Sequence, residues 1–190
     1  MLVGQRLREV PIDFLVSSPM TRTVETARRI AAESEQKLAV KREAGINEFD
    51  YGDWSGRKIT ELAKKPLWAQ IQSTPSTVTF PNGEAMADAS ARAIRAVRKW
   101  ALEAGPKGVV VMVSHGDIIK AILADALGMH LDLFQRIVVD PGSVSVVEYT
   151  GHRPLVLRIN DTGRDPLAVS ERKAAVVGGG AGTTRRKSRV

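Results

Sequence analysis

Five apolar residues in succession, Val109 to Val113, lead directly into Ser114-His115-Gly116-Asp117. An unbroken apolar run of this length suits a central strand covered on both faces, whereas a strand with one wet face would alternate. Gly116 lets backbone and ligand come close, and Asp117 is placed to cap a helix over 118–127. In open α/β sheets ligands collect at the carboxyl ends of strands, beside the amino end of the next helix. The stretch therefore predicts an α/β chain that holds an anion near His115 and Gly116, although a histidine after a strand also serves as a hydrogen-bonded structural residue.

Two further segments repeat the theme. The apolar strand Phe14-Leu15-Val16 leads into a Ser-Ser-Pro turn and then a helix whose first turn carries Thr21 and Arg22. Proline near a helix start costs no hydrogen bond, and an arginine there can chelate two oxygens of an anion alongside the free amides. The segment Asn47 to Gly56, NEFDYGDWSG, is a polar, glycine-punctuated loop with Glu48 just ahead of Tyr51.

In order, SSPMTRTVETA, EFDYGDWSG, PNGEAM before a long helix, and VSHGDIIKAIL resemble the motifs of the histidine phosphatase superfamily, the phosphoglycerate mutase-like enzymes, over most of Val3 to Asn160. The resemblance implies a three-layer α/β/α sandwich with a mostly parallel sheet. It implies that His115 stabilises charge on a transferring phosphoryl group and that Arg22 grips the same oxygens. Glu48 matches the acid that protonates the leaving alkoxide and later takes a proton from water, which requires a carboxyl partly protonated near neutral pH. Tyr51 could donate to a substrate phosphate or carboxylate, or simply pack against Trp54. Gly116 is expected at the phosphate. Ser18 and Thr26 are better explained by turn and helix contacts.

The family's phosphoryl acceptor is a histidine in an Arg-His-Gly motif closing the first strand, and this chain has none. Its three histidines are His115, His130 and His152, and the sequence opens within a segment of helical spacing, Leu2 to Val10. In the family that first strand lies mid-sheet, so its loss should leave neighbours with unpaired amides and the chain poorly folded. A wrongly set start or a truncation, rather than a deliberately dead relative, is the expected cause, because the other site residues are intact. As written, the chain should be inactive by the family mechanism.

Three readings follow: a metal-independent phosphatase of a small phosphomonoester in its complete form, a phosphomutase, or a non-catalytic phosphate-binding or interaction protein. Hydrolysis is favoured over mutase chemistry, because the region 54–83 carries only Arg57, Lys58, Lys64 and Lys65 and no arginine-rich insert. Ser114 and His115 are neighbours in a strand and point to opposite faces, so they form no nucleophile and base pair. No Gly-x-Ser-x-Gly elbow or Walker-type loop is present, and no histidines or acids have metal-ligand spacing. Neither cofactor nor metal is expected. The only partner expected is a small phosphorylated substrate.

The absence of cysteine excludes disulfides and suits the cytoplasm, and neither a long apolar run nor a signal-type start supports membrane or export. One domain over 1–163 is expected, followed by a basic, glycine-rich, disordered tail over 164–190. The tail carries seven basic and two acidic residues, +5 of the +7 net charge. Without interleaved aromatic residues it is read as a solvated tail, not a nucleic-acid site. Elsewhere the pattern predicts a strand over 38–41, a helix over 59–72 disturbed by Pro66, and a helix over 84–104. The last would bury Met86, Ala89, Ala93, Val97 and Trp100. Strands over 143–149 and 154–159 complete the chain.

Overall fold

Strands β1 (Phe14–Ser17), β2 (Val40–Arg42) and β3 (Val110–Val113) pair in parallel, in the order β2-β1-β3, in a computed structural model that describes residues 3–163. After the short helix α1 (Val3–Arg6), each link between these strands carries helix. α2 (Thr21–Glu33) joins β1 to β2, and α3 (Ile59–Leu62), α4 (Pro66–Ser73) and α5 (Met86–Ala104) lie between β2 and β3. α6 (Gly116–Ala126) then leads to an antiparallel hairpin, β4 (Val144–Tyr149) with β5 (Pro154–Asp161).

Side-chain alternation along the strands builds the layers. Leu15, Val111 and Val113 face Ala27 and Ile30 of α2, while Val16, Phe14, Val110 and Met112 face the cluster of α5 and α6. The α5 stripe of Met86, Ala89, Ala93, Val97 and Trp100 is buried as its spacing predicts, with Trp100 tilted against Phe14 at 5.4 Å between ring centroids. Helix on both faces of a parallel sheet is the three-layer α/β/α arrangement.

Several expectations shift. The predicted 38–41 strand pairs instead over Val40–Arg42, and the predicted 59–72 helix is two helices, with Pro66 opening the second. Proline has no amide hydrogen to lose at a helix start, so it begins α4 instead of kinking a longer element. The basic tail lies outside the described residues.

The main correction concerns β3. Expected as a central strand covered on both faces, it is an edge strand whose four residues are only half-buried. Its other flank borders a groove of about 620 Å³, walled by 109–116 on one side and 139–145 on the other, with Val3, Leu7, Val10 and Ile30 among its lining. A smaller cavity of about 230 Å³ lies on the α5 and α6 side, lined by Val110, Met112, Val147 and Tyr149. β3 and β4 thus stand apart with apolar space between them, which is why five apolar residues in a row remain incompletely covered.

Candidate active site

Two strand ends build the site. β1 and β3 run parallel, so Ser17 and Val113 lie side by side, and the turns that follow both open helices at the same edge of the sheet. Arg22 projects from the first turn of α2 and His115 stands at the start of α6. Their side chains meet, with Arg22 Nη2 2.8 Å from His115 Nδ1. A guanidinium can only donate, so Nδ1 accepts and the ring hydrogen resides on Nε2. Nε2 lies 2.8 Å from Ser18 Oγ and donates to it, and Ser18 Oγ in turn donates to Asn47 Oδ1 at 2.8 Å.

The third side chain arrives from the loop after β2. Glu48 Oε2 lies 3.8 Å from Arg22 Nη2 and 3.9 Å from His115 Nδ1. Glu48 and His115 have side chains only 9% and 2% exposed, whereas Arg22 is 53% exposed and forms the open mouth. All three line the groove beside β3, as does Gly116.

The electrostatics follow from this burial. Loss of water pushes the Glu48 carboxyl up from its ordinary value to about 7, helped by the negative charge of Asp117 and opposed by the Phe49 amide, Arg22 and Tyr51. Burial carries His115 the other way, down to about 4, and the cations Arg22 and Arg92 add to the effect. Near pH 7 the site therefore holds a neutral imidazole, a permanent cation and a carboxyl close to its midpoint. A tetrahedral anion could be gripped there while a proton is exchanged at Glu48.

Arg92 of α5 shapes the loop from behind, and its role was invisible in the sequence. Its Nη1 donates at 2.8 Å to the carbonyls of Gly45 and Asn47, its Nη2 donates at 3.0 Å to that of Glu48, and its fork closes on the Glu84 carboxylate. Ordinary amphipathic spacing gives a helical arginine no such task, and the only available hint was a cation on the turn of α5 that follows the PNGEAM segment.

Tyr51 does not stack on Trp54. Its ring meets Phe80 edge-on at 5.1 Å and Phe49 at 6.2 Å, while Trp54 stacks on Trp68 at 6.5 Å. Gly52 makes this course possible: φ is +49°, and a Cβ there would collide with the Pro81 carbonyl. The Tyr51 hydroxyl donates to Asp117 Oδ2 at 3.4 Å. Asp117 does not cap α6 from outside. It sits fully buried within the first turn, next to Lys120, and His115 holds the cap position. Thr26 Oγ1 donates to the Arg22 carbonyl at 3.0 Å, a helix contact.

Of the other histidines, His130 lies against Asp132 and His152 is in the hairpin turn, and neither lines the groove. Among the described residues no group of three or more His, Cys, Asp or Glu could hold a metal ion. No described helix is long and apolar enough to cross a membrane.

The model of the histidine phosphatase superfamily, branch 1, matches residues 1–162. The chain belongs to this superfamily. Phosphoserine phosphatase 1 of Hydrogenobacter thermophilus is 32% identical over 171 residues, spanning 85% of this chain and 76% of that protein. The bifunctional protein Rv2228c of Mycobacterium tuberculosis is 30% identical over 84% of this chain, which spans only 44% of the length of that relative. Among solved structures, YhfR of Bacillus stearothermophilus superposes with a TM-score of 0.76 at 23% identity, over 84% of this chain and 79% of that one, a likeness of fold. The fold expected for a histidine phosphatase is thus that of this chain.

Proposed function

We propose that this protein is a phosphatase acting on a small phosphomonoester, with Arg22 and His115 holding the phosphoryl group and Glu48 handling protons. The observation that carries the reading is the meeting of Arg22, His115 and Glu48 within 3.9 Å at the mouth of one groove. One cation, one neutral imidazole and one carboxyl near its midpoint match what a phosphoryl dianion and a departing alkoxide require. The relatives include a phosphoserine phosphatase, which makes phosphoserine the first substrate to try.

The phosphoryl acceptor in this reading is a histidine that the 190 residues do not place in the groove. A strand lying between β3 and β4, with a histidine at its carboxyl end, would bring a ring nitrogen to the site. That nitrogen attacks phosphorus, the ester oxygen leaves with the proton of Glu48, and a phosphohistidine forms. Water, deprotonated by Glu48, then releases inorganic phosphate and restores the ring. A second reading is a protein that binds a phosphoryl anion and does not turn it over. This second reading, phosphate binding alone, is favoured for the chain as given by His130 and His152 lying outside the groove lining.

Two measurements test the proposal. Phosphorus NMR titration should show inorganic phosphate binding to the 190-residue chain, and Arg22→Ala should weaken it about 10- to 100-fold. A protein extended at its amino end by a histidine-bearing strand should hydrolyse phosphoserine or p-nitrophenyl phosphate without added metal and form an acid-labile phosphoprotein. Turnover that survives Arg22→Ala and His115→Ala unchanged would overturn the assignment.

A further inference from the structure

Ser18 reads in the sequence as a turn residue, yet it is fully buried and stands where three elements meet. Its amide donates to the Val113 carbonyl at the end of β3 at 3.0 Å, and its carbonyl accepts from Thr23 Oγ1 of α2 at 2.9 Å. Asn47 is fixed from the other side: its amide donates to the Ala44 carbonyl at 3.1 Å, and its own carbonyl accepts from Arg92 of α5 at 2.8 Å. Between these two anchored backbones the Ser18 hydroxyl lies 2.8 Å from Asn47 Oδ1 and 2.8 Å from His115 Nε2.

The row has a direction. A hydroxyl carries one hydrogen and two lone pairs. Here the lone pairs face the Met20 amide at 3.4 Å and Nε2 of His115, and the hydrogen goes to Asn47. Turned over, the Asn47 side chain would donate to Ser18 and Ser18 would donate to Nε2. His115 would then have to accept at both ring nitrogens, since Arg22 already donates to Nδ1, and a neutral imidazole has only one acceptor nitrogen. An oxygen at the far end of the row thus matches the nitrogen that holds the hydrogen at the near end.

We propose that Ser18 and Asn47 are positioning residues for His115: Asn47 Oδ1 draws the Ser18 hydrogen, Ser18 accepts from Nε2, and Nδ1 is thereby the ring nitrogen presented to the phosphoryl group, with or without Arg22. The inference deepens the phosphatase reading and rests on His115 holding the phosphoryl group there. Arg22 stands at the open mouth, where an incoming anion engages it and draws it from Nδ1. The buried row stays in place. With Nε2 committed, the ring cannot meet the anion by moving its hydrogen across, so it becomes a donor at Nδ1 only by taking a further proton from solvent.

The test reads the His115 tautomer by long-range proton–nitrogen NMR on the full 190-residue protein with nitrogen-labelled histidine, at pH 8, where the buried ring is neutral. His115→Gln assigns the signal. No anion and no turnover are needed, so a failed phosphatase assay would sink the functional reading without touching this one. Every protein compared carries Glu48→Leu, because a polar side chain 3.9 Å from Nδ1 would bias the ring. On that background Arg22→Ala should leave the hydrogen on Nε2 alone. Adding Asn47→Leu should end the single pattern, since Ser18 is then free to donate to Nε2 and the Nδ1–H form gains a large share. Adding Asn47→Asp instead puts an acceptor oxygen in the same place and should keep the hydrogen on Nε2. A mixture of tautomers already present in Arg22→Ala overturns the proposal, because Arg22 then sets the tautomer. So does a hydrogen that stays on Nε2 alone with Asn47→Leu, for Ser18 and Asn47 would then only fill space. Should Asn47→Leu fail to fold, Ser18→Ala removes the acceptor itself and carries the same expectation.

Discussion

Arg22 donates to Nδ1 of His115 across 2.8 Å, so His115 is held as a neutral ring by the same guanidinium proposed to grip the phosphoryl oxygens. An arriving dianion competes for that guanidinium, frees Nδ1 and favours its protonation. Binding should therefore take up a proton and tighten as the pH falls from 7 towards 5. Sulfate is a suitable probe because it does not titrate in this range. Calorimetry in buffers of different ionisation enthalpy, on a Glu48→Gln background, should show proton uptake that vanishes in His115→Gln. Arg22→Ala should weaken sulfate binding about 10- to 100-fold, the worth of a charge-assisted hydrogen bond. Uptake that persists without His115 would contradict this account.

Arg92 offers a second test, remote from the anion. Its five hydrogen bonds join α5 to three carbonyls of the Glu48 loop and to Glu84. Arg92→Leu strands those acceptors and leaves the Glu84 carboxylate without its cation. A loss of about 3 kcal/mol in urea unfolding is expected. Sulfate affinity should fall too, because Asn47, which fixes Ser18 and through it His115, belongs to the same loop.

The sequence revealed the strands through their apolar runs and the site through the residues that follow them. Val109 to Val113 and Phe14 to Val16 both end at the mouth of the groove, and the resemblance to the superfamily's motifs marked Arg22, Glu48 and His115 as candidates for one locus. The sequence could not show the pairing partners. Five apolar residues read as a central strand because hydrophobicity records what a strand is fit to contact, not which neighbour is present. Arg92, Asn47 and Lys120 escaped for a related reason. A polar residue on a helix face or in a loop reads as solvated until tertiary structure turns it inward, and Asp117 read as a cap because local pattern carries no burial.

The open flank of β3 has a measurable consequence. In the parallel ladder with β1, the carbonyls of Val109 and Val113 accept from β1 and the turn after it, so the peptide groups of Val110 and Met112 point towards the groove. Amide exchange should be markedly faster at Val110 and Met112 than at Val111 and Val113 in the 190-residue protein. Filling the groove with a strand should protect the first pair and leave the second unchanged. Equal protection of all four amides would mean that the groove is already closed by backbone.

Glu48 should leave its mark on stability as a function of pH. The unfolded carboxyl ionises near 4.5, whereas the folded one keeps its proton until about 7. Between those values the folded state binds more protons, so stability falls as the pH rises through the window. Above it the full penalty applies, about 3 kcal/mol for a shift of this size. Glu48→Gln removes the penalty. The variant should match the parent below pH 4 and exceed it by about 2 to 3 kcal/mol at pH 8 in denaturant unfolding. His115 works in the opposite sense: its lowered value costs stability as the pH falls from 6.5 through about 4. That term is common to both proteins, so it cancels when their unfolding curves are subtracted. A difference that is flat from pH 4 to 8 would show that Glu48 ionises freely, and the carboxyl could then not serve as the proton donor to a leaving alkoxide.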